Sequence, residues 1–233
     1  MVISYEDMAS DIMKRMSEAV SRSGRKVSDV TLMAVTKTRS PKEIIDMTKS
    51  TGISLYGENR VQEAQPKIGA WSSGIKSEWH LIGHLQRNKA RKALELFSMI
   101  QSLDSVRLAE TLHRLCEEKD MSIEVLIEVN TSGEDSKHGI IPEETEKFAD
   151  HILENCQTLK LKGLMTVGPL DADEIRVRQA FRLLREKREL ISGNCGLELP
   201  VLSMGMSGDF EWAIEEGSTM IRVGTGLFGA RSY

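Results

Sequence analysis

The chain alternates short apolar runs with amphipathic segments, and that alternation restricts its fold more than any other property. Runs that read as strands fall at 30–36, 53–56, 79–82, 98–102, 123–129, 161–167, 200–204 and 219–223. Segments with helical marks lie between them. Pro41 falls in the first turn of the helix after the first strand, and Pro142 in the first turn after the fifth. Asp171 and Glu174 predict a capping box ahead of Val177, Ala180, Phe181 and Leu184, and Asp104 is expected to cap the helix carrying Leu108, Leu112 and Leu115. Before the first strand, Tyr5, Met8, Ala9, Ile12, Met13, Met16, Ala19 and Val20 recur at helical spacing. They predict a helix over 5–23, stopped by Gly24.

Strands each followed by a helix, repeating every roughly 25 residues, suit a closed (β/α)8 barrel. An open doubly wound sheet would ask for fewer strands and a glycine-rich turn after the first one. Here the first strand ends in Thr36-Lys37-Thr38, without glycine. No linker, low-complexity tract or repeat divides the chain. Residues 1–233 therefore read as one α/β domain, a single (β/α)8 TIM barrel with an additional N-terminal helix.

Such a barrel needs a large core, and 40% hydrophobic residues against 28% charged ones provide it. The net charge of −4 argues against nucleic acid as the main partner. No apolar run is long enough to span a bilayer, and the N-terminus lacks a signal-peptide core. Cys116, Cys156 and Cys195 form no Cys-x-x-Cys pair and read as reduced thiols of a cytoplasmic protein. The five histidines show no metal-ligand spacing, so no metal is expected. Arg87, Lys89, Arg91 and Lys92 read as a solvated helix face, and Arg182–Glu189 as exposed helix with intrahelical ion pairs.

In a barrel of this type the chemistry lies at the C-terminal ends of the strands. The first strand ends at Lys37. A buried amine there would have a lowered pKa and be nucleophilic, which suggests a Schiff base; the alternative is a strand-end lysine that simply reaches water. Ser207-Gly208, after the seventh strand, precedes the helical segment Asp209–Glu216, and Gly224-Thr225-Gly226 follows the eighth. Those are the two places where such a barrel binds phosphate, through backbone amides and hydroxyls. Arg222 points from the last strand towards the same mouth. A Schiff-base lysine opposite a phosphate cup suits either pyridoxal 5'-phosphate or a phosphorylated sugar in a class I aldolase. An arginine against a pyridine nitrogen would keep that nitrogen unprotonated and weaken the electron sink.

The stretches Leu32–Thr38, Tyr56–Glu63, Trp79–Lys89, Leu202–Ser207 and Ile221–Gly229 together resemble the pyridoxal phosphate homeostasis protein family, single-domain relatives of the alanine racemase N-terminal barrel. The resemblance runs from the first helix to Arg231, with Thr36 where members often carry serine. It implies pyridoxal phosphate held as an internal aldimine on Lys37. Asn59 is then near the cofactor's 3-hydroxyl, Arg222 at the ring nitrogen, and Ser207, Gly224 and Thr225 around the phosphate. It also implies a carrier or regulator of the cofactor without established turnover, with apo pyridoxal phosphate enzymes as partners.

The competing reading is a pyridoxal phosphate-dependent amino-acid racemase, which needs an acid/base group on each face of the substrate. Related racemases bring a tyrosine from a second domain, and this chain ends at Tyr233 just after the eighth strand. Tyr56 is expected to pack at a strand end. His80 and His84 are possible bases on one side of their strand, with a hydrogen-bonded core role as the alternative. No catalytic residue is therefore assigned, and a monomer is expected. Lys137, in the polar loop Ser136-Lys137-His138-Gly139, is either a second transient imine site or a solvated lysine.

Overall fold

The computed structural model describes residues 4–71, 74–134, 137–170 and 172–229. Its strands are β1 (Thr31–Val35), β2 (Leu55–Glu58), β3 (Glu78–Leu81), β4 (Met99–Leu103), β5 (Ile123–Glu128), β6 (Leu159–Met165), β7 (Val201–Ser203) and β8 (Met220–Val223). They pair in parallel and in chain order, and β8 returns to β1 with Met33 opposite Arg222 and Ala34 opposite Val223. The sheet is the expected closed barrel, which excludes the open doubly wound alternative. β2 starts two residues later than the sequence suggests. Gly57 and Glu58 thus belong to the strand, and Gly57 pairs with both Val35 and His80.

The helices are α1 (Tyr5–Arg22), α2 (Pro41–Thr51), α3 (Val61–Gly69), α4 (Ala90–Leu96), α5 (Val106–Glu117), α6 (Thr145–Asn155), α7 (Glu174–Cys195), α8 (Phe210–Glu215) and α9 (Thr225–Phe228). A Ser4–Asp7 capping box starts α1, and Gly24 follows its end at φ 69°. The buried face of α1, with Ile12, Met16, Ala19 and Val20, belongs to a helix packed on α8 and α9. It thereby covers the seam where first and last strands meet. Ser40, Pro41 and Glu43 start α2 with a second capping box, and Gly52 at φ 74° ends it.

Two end signals work differently from the sequence reading. The N-cap of α5 is Ser105, without a side-chain bond, because the Asp104 carboxylate turns to His84 Nδ1 at 2.7 Å. The cap of α7 is Asp173, which accepts from the Arg176 amide; Asp171 lies outside the described residues. Pro142 opens a 3-10 turn that leads into α6. The charged run Arg182–Glu189 on α7 is also more than intrahelical: Arg185 pairs with Glu189 along the helix, but Arg182 and Arg185 also reach Glu216. On α4, Arg91 pairs with Glu118 and Lys92 with Glu95, as a solvated face should.

Apolar side chains of strands and helices form one large core, and Met99, Leu126 and Met165 form a smaller cluster. Gly163 permits the closest approach in the sheet. It sits at φ 153°, and a Cβ there would lie 1.7 Å from the Val201 carbonyl oxygen. The three cysteines are free, with Cys116 and Cys156 buried. Among the described residues no helix is long and apolar enough to cross a membrane.

Candidate functional site

Lys37 leaves β1 in a tight turn. The Arg39 amide donates to the Thr36 carbonyl at 3.0 Å, and Thr38 is held at φ 65°, a conformation that β-branched residues rarely adopt. Lys37 itself is exposed, so of the two readings of this position the lysine that reaches water holds and the buried amine does not. The buried amine belongs to Lys67 of α3. Its Nζ donates to Glu58 Oε1 at 2.7 Å and to the Thr36 carbonyl at 2.8 Å. The Thr36 hydroxyl donates to the same Glu58 oxygen. Burial pushes the Glu58 carboxyl above its usual range, while the bonds from Lys67 and Thr36 oppose that shift. A buried ion pair therefore grips the peptide just before Lys37.

The loops after β7 and β8 meet at Ser207. Its Oγ accepts from the amides of Gly224 and Gly226, at 3.3 and 3.4 Å. Met206 N donates to Asp209 Oδ1 at 2.6 Å and folds the first loop over. Thr225 is exposed at the start of α9. The cup also touches the lysine's strand. A Cβ on Gly224 would lie 3.4 Å from the Val35 carbonyl oxygen, and a guanidinium nitrogen of Arg39 donates to the Gly229 carbonyl at 2.6 Å. Ser207, Gly224 and Thr225 are thus brought together, next to the turn that carries Lys37.

Arg222 crosses the barrel interior, 3% exposed. One terminal nitrogen donates to Ser203 Oγ and the other to the Thr166 carbonyl, both at 2.7 Å. Ser203 Oγ in turn donates to Gln101 Oε1 at 2.7 Å, and Gln101 Nε2 lies 2.9 Å from His80 Nδ1. His80 Nε2 then meets Glu78 Oε1 at 2.9 Å. This chain of polar groups orients the guanidinium; of its members the sequence singles out Arg222 as a site residue and His80 as a possible base, and gives Gln101 no role. Burial lowers the Arg222 pKa to about 10, with Asp209 and Glu128 opposing, so the group is still a cation at neutral pH.

Asn59 follows β2 over Gly83, whose Cβ would fall 2.4 Å from the Asn59 carbonyl oxygen. A cavity of about 250 Å³ opens beside it, lined by Glu128, Lys137 and His138 among others, and a larger one of about 730 Å³ lies along the β2 and β3 exits. Both lie to one side of Lys37, which lines neither. Asn59 Oδ1 and Glu128 Oε2 are buried without a partner. Burial, with the charge of Asp104, pushes the Glu128 carboxyl up to about 7 against the pull of Arg222. Glu128 was hidden within an apolar strand pattern. Its only sequence signal is a carboxylate at the C-terminal end of a strand.

The remaining candidates separate. His80 is a hydrogen-bonded core residue, whereas His84, beyond the end of β3, is exposed. Tyr56 is buried, stacks near Trp79 at 4.6 Å between ring centres and bonds Thr48 Oγ1. Lys137 is not solvated. Its Nζ donates to the Gly168 carbonyl at 2.7 Å and pairs with Glu134 at 3.0 Å. Ser136 lies outside the described residues.

The parts fit pyridoxal phosphate: two amides and a hydroxyl in a cup, a buried cation, and two buried polar atoms awaiting partners. The closed barrel is the fold of the alanine racemase N-terminal domain, and the model of that family matches residues 13–232. The chain is 41% identical to the pyridoxal phosphate homeostasis protein of Aquifex aeolicus, over 96% of this chain and 97% of that one. It is 37% identical to the human protein of that name, covering 94% and 84%. The chain belongs to the pyridoxal phosphate homeostasis protein family. Among solved structures it resembles PipY of Synechococcus elongatus with pyridoxal phosphate bound, at a TM-score of 0.81, 36% identity and coverage of 94% and 100%. Alanine racemase of Corynebacterium glutamicum shares the fold alone, with a TM-score of 0.70, 18% identity and coverage of 95% of this chain and 61% of that one.

Proposed function

We propose that this protein binds pyridoxal 5'-phosphate at the barrel mouth and serves its homeostasis in the cytoplasm as a carrier or regulator. In this reading Lys37 binds the cofactor covalently, and Ser207, Gly224 and Thr225 hold the phosphate. Arg222 faces the ring nitrogen, and Asn59 the 3-hydroxyl. The whole chain acts as one domain and as a monomer, and apo pyridoxal phosphate enzymes receive the cofactor.

The observation that carries the reading is the contact of the Ser207–Gly224 turn with the end of β1, where a bound phosphate would lie beside the Lys37 turn. Pyridoxal phosphate supplies an aldehyde that condenses with an amine, with loss of water, and a pyridine ring that withdraws electrons. Arg222 retains its proton at neutral pH, so it orients the ring without feeding the electron sink. That suits storage and delivery better than rapid turnover.

The test is an absorption spectrum of the pure protein with and without borohydride. A yellow band that borohydride removes, and that Lys37→Ala lacks, is expected. An unchanged band in Lys37→Ala refutes the anchor. The racemase reading gains one group here, since Glu128 is a buried acid that titrates near neutrality. Rapid racemization of free alanine or serine, lost in both Lys37→Ala and Glu128→Gln, would replace the carrier reading.

A further inference from the structure

His84, Asp104 and His138 stand 20 and 34 positions apart in sequence, yet the barrel rim gathers them. His84 follows β3, Asp104 directly follows β4, and His138 lies in the loop after β5. One ligand atom from each lies within 4.8 Å of the others. His84 Nδ1 is 2.7 Å from Asp104 Oδ2, and the two imidazoles stack at 4.1 Å between centres with 11° between planes. The Asp104 side chain is only 9% exposed, so its charge is partly desolvated and gains most from a cation.

We propose that His84, Asp104 and His138 bind a divalent transition-metal ion with the preferences of Zn2+. Two imidazoles with one carboxylate suit Zn2+ and its neighbours, whereas Mg2+ and Ca2+ prefer oxygen alone. Binding draws the three donors in to about 2.0–2.2 Å from the ion, and it requires that any proton on His84 Nδ1 move to Nε2, so that Nδ1 faces the ion as a lone pair. Three protein ligands leave a fourth position, as in zinc sites that exchange ligands. Both histidines line the cavity of about 250 Å³ that also holds Asn59 and Glu128, so a small carboxylate or amine ligand can reach that position. The ion would also tie the loop carrying Lys137 to the β3 and β4 exits. The site does not depend on the cofactor.

The test uses the full chain without a polyhistidine tag. Zn2+ is titrated calorimetrically, and Co2+ is followed by its visible absorption. One ion per chain and the intense bands of four-coordinate Co2+ are expected. His84→Gln, His138→Gln and Asp104→Asn should each weaken binding at least tenfold, while their metal-free melting temperatures show that they fold. Lys37→Ala should bind the ion as the parent does. Absence of saturable binding at micromolar Zn2+, or parent affinity in a His84→Gln/His138→Gln double variant, overturns the proposal. So does loss of binding in Lys37→Ala, which would assign the ion to the cofactor.

Discussion

The Lys67 ammonium lies 2.7 Å from Glu58 Oε1, with the two side chains 7% and 0% exposed. Removing one partner strands the other charge in a dry interior, so Lys67→Met should cost about 3–5 kcal/mol. A Glu58→Leu/Lys67→Met double variant should recover most of that in chemical denaturation. It should not recover cofactor affinity, because the Thr36 carbonyl still lacks the Lys67 donor that steadies the turn before Lys37.

Thr38 carries backbone strain beside the lysine. A left-handed conformation costs a non-glycine residue about 1–2 kcal/mol, and glycine gives back part of this through its freer unfolded chain. Thr38→Gly should therefore raise stability by up to about 1 kcal/mol, measured by thermal unfolding. If it instead melts lower than the parent, the turn is held by Thr38 contacts rather than against its preference.

Glu128 predicts a pH dependence. Its folded pKa of about 7 lies above the usual 4.5, so the native state holds the proton more tightly than the unfolded chain. This contribution is complete below pH 4.5 and is lost as pH rises through 7, a difference of about 3 kcal/mol. Glu128→Gln should flatten the stability profile across that window and be the more stable protein at pH 8. Parallel profiles for the two proteins would contradict the assignment.

Ser203 couples Arg222 to Gln101. Ser203→Ala leaves one guanidinium donor and the Gln101 carbonyl unpaired, at a cost of about 1–3 kcal/mol. With Arg222 less firmly aimed, the absorption maximum of bound pyridoxal phosphate should shift while the lysine linkage survives borohydride trapping. A spectrum identical to the parent's would show that Thr166 alone positions the arginine.

The barrel was legible because its strands are continuous apolar runs, and a run buried on both faces needs no partner to be recognised. Lys37, Arg222, Ser207 and Gly224 were legible because they punctuate the ends of such runs. Lys67 was not, since its value comes from a carboxylate on another element and a helix offers no local sign of it. Asp104 misled for the same reason: a residue before a helix reads as a cap until a histidine 20 positions away competes for it. Gln101, inside a strand, carries no local sign that it stands in the middle of a hydrogen-bonded chain with Ser203 and His80.

The pairing of β8 with β1 sets Arg222 beside Met33 and Gly224 against Val35. Lys37 and two of the groups proposed to face it, Arg222 and Gly224, thus come from opposite ends of the sequence. A folding intermediate that lacks the last strand would hold Lys37, Asn59 and Ser207 but neither Arg222 nor the Gly224–Thr225 half of the cup, so it should bind the cofactor more weakly than the closed barrel. In the proposed reading the bound chromophore would report closure of the ring, its full signal reached only once β8 has joined β1.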